Sequence, residues 1–352
     1  MNKVRIGNRW VGEGEPTYII AEIGSNFDGS LAQAKMLIAL SKEVGADAAK
    51  FQSFLPDKII AKRGFQTKVS FQSKWEKPVY QVYSEAELPR EWLGQLAEYC
   101  KEKGIDFLVS PYDMEAVDRL EQIGVSAYKI GSGDITYLPL VEYIAKEGKP
   151  IILATGASSI GEIENAVDAI RSTGNNDIVL LQCVTNYPSP IEQANIRAMA
   201  TLRQRFCVPV GYSDHSQGSI VSLGAVALGA CIIEKHFTFD KTREGPDHPF
   251  AMDVLEMASL VHDIRLLENA LGSPIKDVTD AESETRIIQR RSIFAKVDIC
   301  ANSIITTGMI ECLRPSIGIP PEYIGVVLGK KAITNIKAGE PIAWDDIDKT
   351  VL

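Results

Sequence analysis

The sequence of 352 residues lacks an apolar run long enough to cross a membrane. Its apolar stretches all fall short of the roughly 18–20 residues that a membrane-spanning helix needs. The first residues are not followed by the apolar segment of a signal peptide. We therefore expect a cytoplasmic protein with no membrane partner.

Paired cysteines and basic runs are missing as well. The six cysteines form no Cys-x-x-Cys pair and most lie in apolar runs, so we expect reduced cysteines in the protein core. The net charge is −9 and no basic cluster offers a track for a polyanion, which argues against nucleic acid as a partner. An anionic substrate would need a site that is locally positive against this acidic background.

What the sequence does contain is a regular alternation of apolar runs and amphipathic stretches. Eight runs have strand character: 18–23, 46–52, 106–110, 127–130, 150–154, 178–183, 208–212 and 231–236. Helical periodicity marks the stretches between and after them: 31–44, 90–103, 114–123, 138–147, 160–171, 195–206, 219–228 and 254–271. Glycines follow most of these helices: Gly45, Gly104, Gly124, Gly148, Gly174 and Gly229. Eight βα units predict a (β/α)8 TIM barrel.

Three further segments complete the predicted organisation. The barrel domain should span residues 1–276, and the charged stretch 277–291 is typical of a connector helix. Residues 292–352 contain short β-like runs, of which 298–305 and 335–342 repeat at an offset of 37 residues and predict a small pseudo-symmetric β-rich domain. The long insertion 53–87 after the second strand is typical of a lid or binding loop.

Polar residues end nearly every predicted strand, where barrel enzymes hold their active sites. These residues are Glu22, Lys50, Gln52, Ser110, Lys129, Ser132, Thr155, Thr185, Tyr187, Ser213, His215, Glu234 and His236. Chance would scatter such residues along the strands, so we predict a catalytic rim rather than a merely solvated edge.

Two of the four histidines, His215 and His236, end strands seven and eight, which are neighbours in a barrel. Imidazoles at this spacing can bind one divalent metal such as Mn, Co, Fe or Zn, with Glu22 or water completing the shell. The alternative is that both are hydrogen-bonded structural histidines.

Lys50 and Lys129 would be costly to bury without an anion. Hydroxyls from other strands would join them in a phosphate or carboxylate cradle: Ser110, Ser132 and Ser213. The alternative is that the lysines pair with protein carboxylates, namely Glu22, Asp134 or Glu234. In the loop after strand eight, Asp247 and His248 could orient a polyol, although an ordinary turn explains them equally well.

Several ordered motifs give the chain a close resemblance to the sialic acid synthase family, which makes nonulosonic acids. They are Ala21-Glu22-Ile23-Gly24, Lys50-Phe51-Gln52, Tyr128-Lys129-Ile130-Gly131-Ser132-Gly133-Asp134, Tyr187-Pro188-Ser189-Pro190, Gly211-Tyr212-Ser213-Asp214-His215, Glu234-Lys235-His236-Phe237 and Gly245-Pro246-Asp247-His248. The tail, with Arg314-Pro315, Gly318-Ile319 and Gly329-Lys330, resembles the antifreeze-like (SAF) domain of that family. The texture is most similar to the spore-coat-polysaccharide synthase branch.

The resemblance implies a carbon–carbon bond-forming transferase. It would condense phosphoenolpyruvate with N-acetylmannosamine or a related 2-acylamino (deoxy)hexose, giving a nonulosonic acid and phosphate. It also implies a divalent metal, with Mn preferred and Mg or Co possible, and a homodimer whose C-terminal domains are exchanged.

Carried over to this sequence, the resemblance assigns the metal to His215 and His236. It assigns phosphoenolpyruvate binding to Lys50, Lys129, Ser132, Thr185, Tyr187 and Ser213. We add Ser110 to this set because of its position at a strand end. The sugar falls to Gln52, Tyr187, Asp247 and Arg314, the last acting in the partner subunit's site. The predicted catalytic residues are Glu22, Asp134, Glu234 and Lys129.

Two positions and one segment depart from the family pattern: Phe27 replaces a common His, Ala154 replaces a common phosphate-binding Ser, and the segment 250–253 reads Phe-Ala-Met-Asp where the family has Ser-Leu-Glu-Pro. Alternative functions therefore stay open. They are a sister synthase that uses a shorter aldose phosphate, a barrel metallohydrolase, and a non-catalytic sugar-binding homologue.

Overall fold

A computed structural model of the chain describes residues 3–64, 72–73 and 75–349. The chain divides into two compact units, one ending at Gly272 and the other beginning at Ser273. The predicted domain limits, 1–276, 277–291 and 292–352, stay predictions. No helix in the described ranges combines the length and the apolar character that a membrane span requires.

Eight parallel strands form the barrel of the first unit, preceded by an antiparallel hairpin of β1 (Lys3–Ile6) and β2 (Arg9–Gly12). The barrel strands are β3 (Tyr18–Glu22), β4 (Ala48–Ser53), β5 (Asp106–Pro111), β6 (Tyr128–Ile130), β7 (Ile151–Ala154), β8 (Ile178–Cys183), β9 (Val210–Asp214) and β10 (Ile232–His236). Each overlaps its predicted range, and β10 pairs with β3, which brings the first and last strands together. The predicted (β/α)8 architecture is confirmed.

Helices alternate with these strands as predicted. They are α1 (Leu31–Glu43), α2 (Pro56–Ile59), α3 (Val79–Glu85), α4 (Leu93–Lys103), α5 (Met114–Ile123), α6 (Leu138–Lys146), α7 (Ile160–Ser172), α8 (Ala198–Phe206), α9 (Ile220–Ala227) and α10 (Val254–Leu271). The bounds of α10 match the prediction because Asp253 and Glu256 form a capping box before it and Gly272 follows it. The short helices α2 and α3 belong to the predicted insertion 53–87, part of which (65–71 and 74) lies outside the described residues.

The strands bury both faces, as expected for a parallel barrel. Side chains that alternate along each strand fall into two clusters, one under the surrounding helices and one inside the barrel. The inner cluster contains Ile20, Leu108, Ile152, Leu181 and Ile232 together with residues of the hairpin. The hairpin, which was not predicted, therefore packs against the inner core of the barrel.

The second unit contains α11 (Ser283–Gln289), β11 (Ser292–Ala295), β12 (Ile310–Leu313) and α12 (Ile324–Val327). The predicted connector helix 277–291 is shorter than expected. The repeats 298–305 and 335–342 are not regular strands, but Ile299 and Ile336, which match each other in the two repeats, exchange backbone hydrogen bonds of 2.8 and 2.9 Å. Ala301 N donates to Asn335 Oδ1, and the matching Ala338 N donates to Asp298 Oδ1. The predicted pseudo-symmetry is therefore confirmed at the level of individual hydrogen bonds.

Candidate active site

The strand ends carry inward-pointing charges because orientation repeats every second residue along a strand. Ile20, Leu108 and Ile232 belong to the inner cluster, and Glu22, Ser110 and Glu234 follow them by two positions. Lys50, Lys129 and Ser213 have the corresponding positions on their strands. All six are at most 5% exposed. The last layer of the barrel interior is therefore polar and closed to bulk water.

Four of these residues form one charged cluster. Lys50 Nζ lies 2.6 Å from Glu22 Oε2 and 3.8 Å from Glu234 Oε2. Lys129 Nζ lies 3.5 Å from Glu234 Oε1, which also accepts a hydrogen bond of 2.9 Å from Ser213. The alternative that the lysines pair with protein carboxylates is thus correct for Glu22 and Glu234. No such pair with Asp134 occurs among the described residues, so that part was wrong.

Burial and neighbouring charges shift the pKa values of the four residues in different directions. Burial raises the pKa of Glu22, and Lys50 only partly offsets this. Burial would also raise the pKa of Glu234, but Lys129 and Lys50 outweigh it and lower the value to about 2. Burial lowers the pKa of Lys129, whereas the two glutamates overcome burial at Lys50 and raise its pKa. Glu234 is therefore the permanent anion of the group.

The two predicted metal ligands lie side by side, with ring centroids 5.5 Å apart. His215 Nδ1 is 2.9 Å from the carbonyl oxygen of Val184. A carbonyl can only accept, so Nδ1 carries a proton, and Nε2 has a lone pair in the neutral ring. Burial lowers the pKa of His215, but Cys183 outweighs burial and raises the value. Burial lowers the pKa of His236 to about 4, so its ring is neutral at pH 7.

The histidine pair has the donor chemistry for a divalent cation. His236 Nδ1 is buried, has no hydrogen-bond partner among the described residues and lies 4.0 Å from Asp247 Oδ2. An orphaned imidazole nitrogen beside a second imidazole fits a catalytic site that takes its other ligands from solvent or substrate. Within the described ranges, no three His, Cys, Asp or Glu side chains form a ready-made metal cluster.

A cavity of about 340 Å³ opens above this layer. It is lined by five residues of the predicted rim and its loops: Gln52, Asp134, Tyr187, His236 and Asp247. Burial raises the pKa of Asp134 to about 6, which lets this carboxyl hold or release a proton near neutral pH. Gln52 Nε2 donates a hydrogen bond of 2.6 Å to Glu22 Oε1, linking the cavity to the charged layer.

Asp247 is held by the loop that follows β3. Its Oδ2 accepts hydrogen bonds from the backbone N of Ser25 at 3.0 Å and from Ser25 Oγ at 2.9 Å. Gly24 makes this possible, because a Cβ there would lie 2.5 Å from Asp247 Oδ2 and the residue has a φ of +54°. His248 points away from the cavity. It is fully buried and bonds Asp28 and Thr238, each at 2.7 Å, so it is a structural residue.

The predicted hydroxyl residues Ser132 and Thr185 gather around Gly156. The backbone N of Gly156 donates to Ser132 Oγ at 3.0 Å, and a Cβ at this glycine would overlap Thr185 Oγ1. Thr155 does not join them, because it donates to the carbonyl of Leu181 and is buried. Ala154 lies inside the barrel core. Phe27 packs in the outer core against Trp92, with ring centroids 6.2 Å apart, so this departure lies outside the site.

A second buried ion pair lies behind the histidines. Lys235 Nζ donates to Asp214 Oδ2 at 2.8 Å and to the carbonyls of Ser216 and Gly218 at 2.6 and 2.8 Å. Asp214 also accepts from Ser216 and Ser222. This network fixes the turn that carries His215. Lys235 and Asp214 are both in the quoted motifs, yet no role was predicted for either.

Other residues of the site were also missed. Phe54, Trp75, Val82, Tyr83 and Tyr112 line the cavity. The aromatic content of the insertion was the available signal, but only the fold shows which of its residues face the site. The cysteine prediction was correct for Cys100, Cys183 and Cys231 and wrong for the exposed Cys207 and Cys300. Arg314 is exposed in the second unit, and its predicted role stays a prediction.

Comparison with known proteins gives two family matches. The NeuB family matches residues 37–276, and the SAF domain matches residues 290–348. An uncharacterized protein of Methanocaldococcus jannaschii is 42% identical over 347 residues, 99% of each chain. The N,N'-diacetyllegionaminic acid synthase of Campylobacter jejuni is 40% identical over 331 residues, 93% of this chain and 98% of that protein.

A solved structure has the same fold. The N-acetylneuraminic acid (sialic acid) synthetase of Leptospira borgpetersenii, determined in complex with citrate, superposes with a TM-score of 0.73 at 33% identity. The match covers 80% of this chain and 94% of that one.

Proposed function

This chain belongs to the NeuB family and is an enzyme of the sialic acid synthase type, and we propose that it condenses phosphoenolpyruvate with a 2-acylamino hexose. The products would be a nonulosonic acid and phosphate. The observation that carries this proposal is the buried layer of Lys50, Lys129, Glu22 and Glu234 beneath a cavity lined by His236, whose ring is neutral because burial lowers its pKa to about 4. The lysines of this layer would bind an anion, and the cavity above it would hold a polar acceptor.

The lysines would bind phosphoenolpyruvate. Their charges are now balanced by Glu22 and Glu234, so the incoming anion takes over contacts that Glu22 makes with Lys50. Burial already raises the pKa of Glu22, which allows this carboxyl to take up a proton when it is displaced. Hydroxyls at the strand ends would complete the cradle: Ser110, Ser132, Thr185 and Ser213, with Tyr187 above them.

The acceptor sugar would occupy the cavity beside Gln52, Tyr187 and Asp247. The third carbon of phosphoenolpyruvate then bonds to the aldehyde carbon of the open-chain sugar, and water adds to the second carbon. The bond between that carbon and the phosphate oxygen breaks, and phosphate leaves. Holding both reactants in contact supplies much of the acceleration.

Two carboxyl groups have different roles in this scheme. Asp134, whose pKa burial raises to about 6, would donate a proton to the aldehyde oxygen. Glu234, whose pKa the lysines lower to about 2 against the effect of burial, would stay ionised and stabilise positive charge on the second carbon. A divalent cation held by His215 and His236, with Mn preferred and Mg or Co possible, would supply a Lewis acid for the aldehyde.

The decisive experiment measures phosphate release with phosphoenolpyruvate, Mn and a panel of 2-acylamino hexoses, pentose phosphates and tetrose phosphates. Release that requires an amino sugar supports the proposal. Release only with the aldose phosphates would favour a sister synthase. No release with any member of the panel would contradict the synthase function altogether.

We also infer that Arg314 completes the sugar site of a second copy in a homodimer with exchanged C-terminal domains. Its exposed side chain and the separate core of its unit support this role. We predict that the Arg314→Ala and Lys129→Ala proteins are each less active than the wild type, whereas mixing them regenerates one native site per heterodimer. Activity of the mixture is measured after subunit exchange has been verified. An active monomer, or exchanged subunits without recovery, would contradict the shared site.

A further inference from the structure

The two proposed metal ligands are held in place by different means. His215 is oriented by a hydrogen bond, because its Nδ1 donates to the carbonyl oxygen of Val184 at 2.9 Å. The buried Nδ1 of His236 has no such partner among the described residues. Metal-binding histidines are usually oriented through the ring nitrogen that does not bind the metal, which bonds a carboxylate, a carbonyl or water. The ring of His236 therefore needs another means of orientation.

The carboxylate beside His236 does not orient its ring. Asp247 Oδ2 lies 4.0 Å from His236 Nδ1, which is too far for a hydrogen bond. The same oxygen accepts two hydrogen bonds from Ser25, one from its backbone N at 3.0 Å and one from its Oγ at 2.9 Å. These bonds hold the carboxylate against the loop that follows β3. The orientation of His236 therefore depends on its packing contacts.

Aromatic rings pack against His236. The Phe250 ring lies 4.9 Å from the His236 ring at an interplanar angle of 66°, which is an edge-to-face contact. Tyr187 lies 6.0 Å from His236 and 5.4 Å from Phe250, so the three rings form one group. Phe250 and His236 are both buried. In a close-packed interior, an imidazole between such neighbours cannot rotate without displacing one of them.

The backbone around Phe250 is fixed to the end of β10, the strand that carries His236. Phe250 ends a short 3-10 turn that begins at His248, whose two ring nitrogens are both hydrogen-bonded. Beyond the turn, Met252 N donates to the carbonyl of His236 at 2.8 Å, and Thr238 N donates to the carbonyl of Met252 at 2.8 Å. Phe250 therefore keeps its position relative to His236 before any ligand binds.

We propose that Phe250 is a positioning residue for the metal site, a role that rests on the proposed function. Its ring fixes the orientation of His236 by packing, as the carbonyl of Val184 fixes that of His215 by a hydrogen bond. Phe250 begins the segment 250–253, in which this chain departs from the family pattern. The packed ring is therefore a feature of this chain and not of the family pattern.

Titration of Mn into the metal-free protein tests the proposal, with free Mn measured by electron paramagnetic resonance. Phe250→Leu keeps an apolar side chain but removes the ring, and its dissociation constant for Mn should be about threefold to tenfold higher than that of the wild type. Phe250→Tyr keeps the ring and should stay within about twofold of the wild type. The Mn concentration that gives half-maximal phosphate release should shift by the same factor as the dissociation constant.

Phe239→Leu is the matched control. Phe239 lies in the same loop and packs edge-to-face against His248, which is not a proposed metal ligand, with ring centroids 6.3 Å apart. Loss of this ring should lower the midpoint of thermal unfolding of the metal-free protein without changing Mn binding. Phe250→Met, whose flexible side chain has no ring, gives the same test if Phe250→Leu does not fold.

The outcomes separate the inference from the function on which it rests. Equal Mn affinity of the wild type and Phe250→Leu would overturn the inference and leave the proposed function intact. An equal loss of affinity in Phe250→Leu and Phe239→Leu would do the same, because the loop would then act only through the stability of the fold. A wild-type protein that binds no Mn would overturn the inference together with the proposed metal site.

Discussion

Strands β9 and β10 each contribute to two buried groups of charges, and these groups differ in how completely they are hydrogen-bonded. In the first group, Lys235 and Asp214 satisfy each other with the help of two serines and two carbonyls. In the second, Glu22 Oε2 and Glu234 Oε2 have lysine neighbours but no aligned hydrogen-bond donor among the described residues. His236 Nδ1 beside them is orphaned as well.

This difference distinguishes a charged group that stabilises the fold from one that can bind ligands. A buried charge is tolerated when its partners saturate it, and each unsatisfied group carries a free-energy cost. The saturated pair has no capacity left for a ligand. The open group keeps carboxylate oxygens without an aligned hydrogen-bond donor and a ring nitrogen without a partner among the described residues, and His236 lines the cavity. Incomplete hydrogen bonding therefore supports the proposal that substrates and metal bind at the open group.

The largest expected effect comes from removing the metal ion that the open group is proposed to bind. Chelation should abolish activity and Mn should restore it, because His215 and His236 are proposed to hold the cation. His215→Ala should lose metal binding, measured by metal content after dialysis, while the circular dichroism spectrum stays that of the folded protein. Full turnover after exhaustive chelation would show that the histidine pair has a structural role.

The saturated pair should govern stability. Lys235→Met leaves Asp214 buried without its counter-charge and should lower the free energy of unfolding of the barrel by about 3–5 kcal/mol. Lys50→Met is the matched control. It should cost less than half as much, because the pKa of Glu22 is already raised by burial and the carboxyl can take up a proton. Denaturant unfolding at pH 7 measures both, and equal losses would remove the distinction between the two groups.

The open group should govern anion binding. Lys129→Ala removes a charge-assisted contact and should weaken phosphoenolpyruvate binding by about 1.5–3 kcal/mol, with a much smaller effect on the KM of the sugar. Steady-state kinetics with each substrate varied in turn separates the two effects. Unchanged KM for phosphoenolpyruvate together with unchanged kcat would mean that Lys129 only balances Glu234.

The sequence predicted the open group better than the saturated one. The position of each predicted strand end was enough to bring Glu22, Lys50, Lys129 and Glu234 to one rim. The role of Lys235 was not visible, because its partners are backbone carbonyls of a turn whose shape depends on the fold. The role of His248 was ambiguous because its partner Asp28 lies far away in the sequence.

The aromatic contacts of the insertion show the other limit of sequence-based prediction. The sequence predicted a lid or binding loop at 53–87, but hydrophobic pattern does not tell which aromatic residues of a loop contact each other. The contacts of Phe54 with Tyr83 and Tyr112 join three segments that only the barrel brings together. The pseudo-symmetry of the C-terminal unit was easier to predict from the offset of 37 residues, because a repeated sequence predicts repeated hydrogen bonds directly.

The smallest expected effect concerns Asp134, a buried carboxyl whose ionisation should affect both stability and catalysis. Burial raises its pKa to about 6 in the folded protein, above the ordinary value of 3.8. The folded state therefore binds this proton more tightly than the unfolded state does. Ionising Asp134 costs stability, and this cost develops as the pH rises from about 4 to about 6 and stays constant above that range. Asp134→Asn removes the cost and should stabilise the barrel at pH 8 by on the order of 1–3 kcal/mol.

The same substitution should remove the proton donor. The wild-type kcat should fall as the pH rises above about 6, because the protonated form of Asp134 becomes scarce. Asp134→Asn should be slower at every pH and should lose this limb of the profile. Unfolding curves at pH 4 and pH 8 provide the control, since the gain in stability should vanish at pH 4. A variant that is no more stable at pH 8 and keeps the wild-type pH profile would show that Asp134 neither stores this cost nor donates the proton.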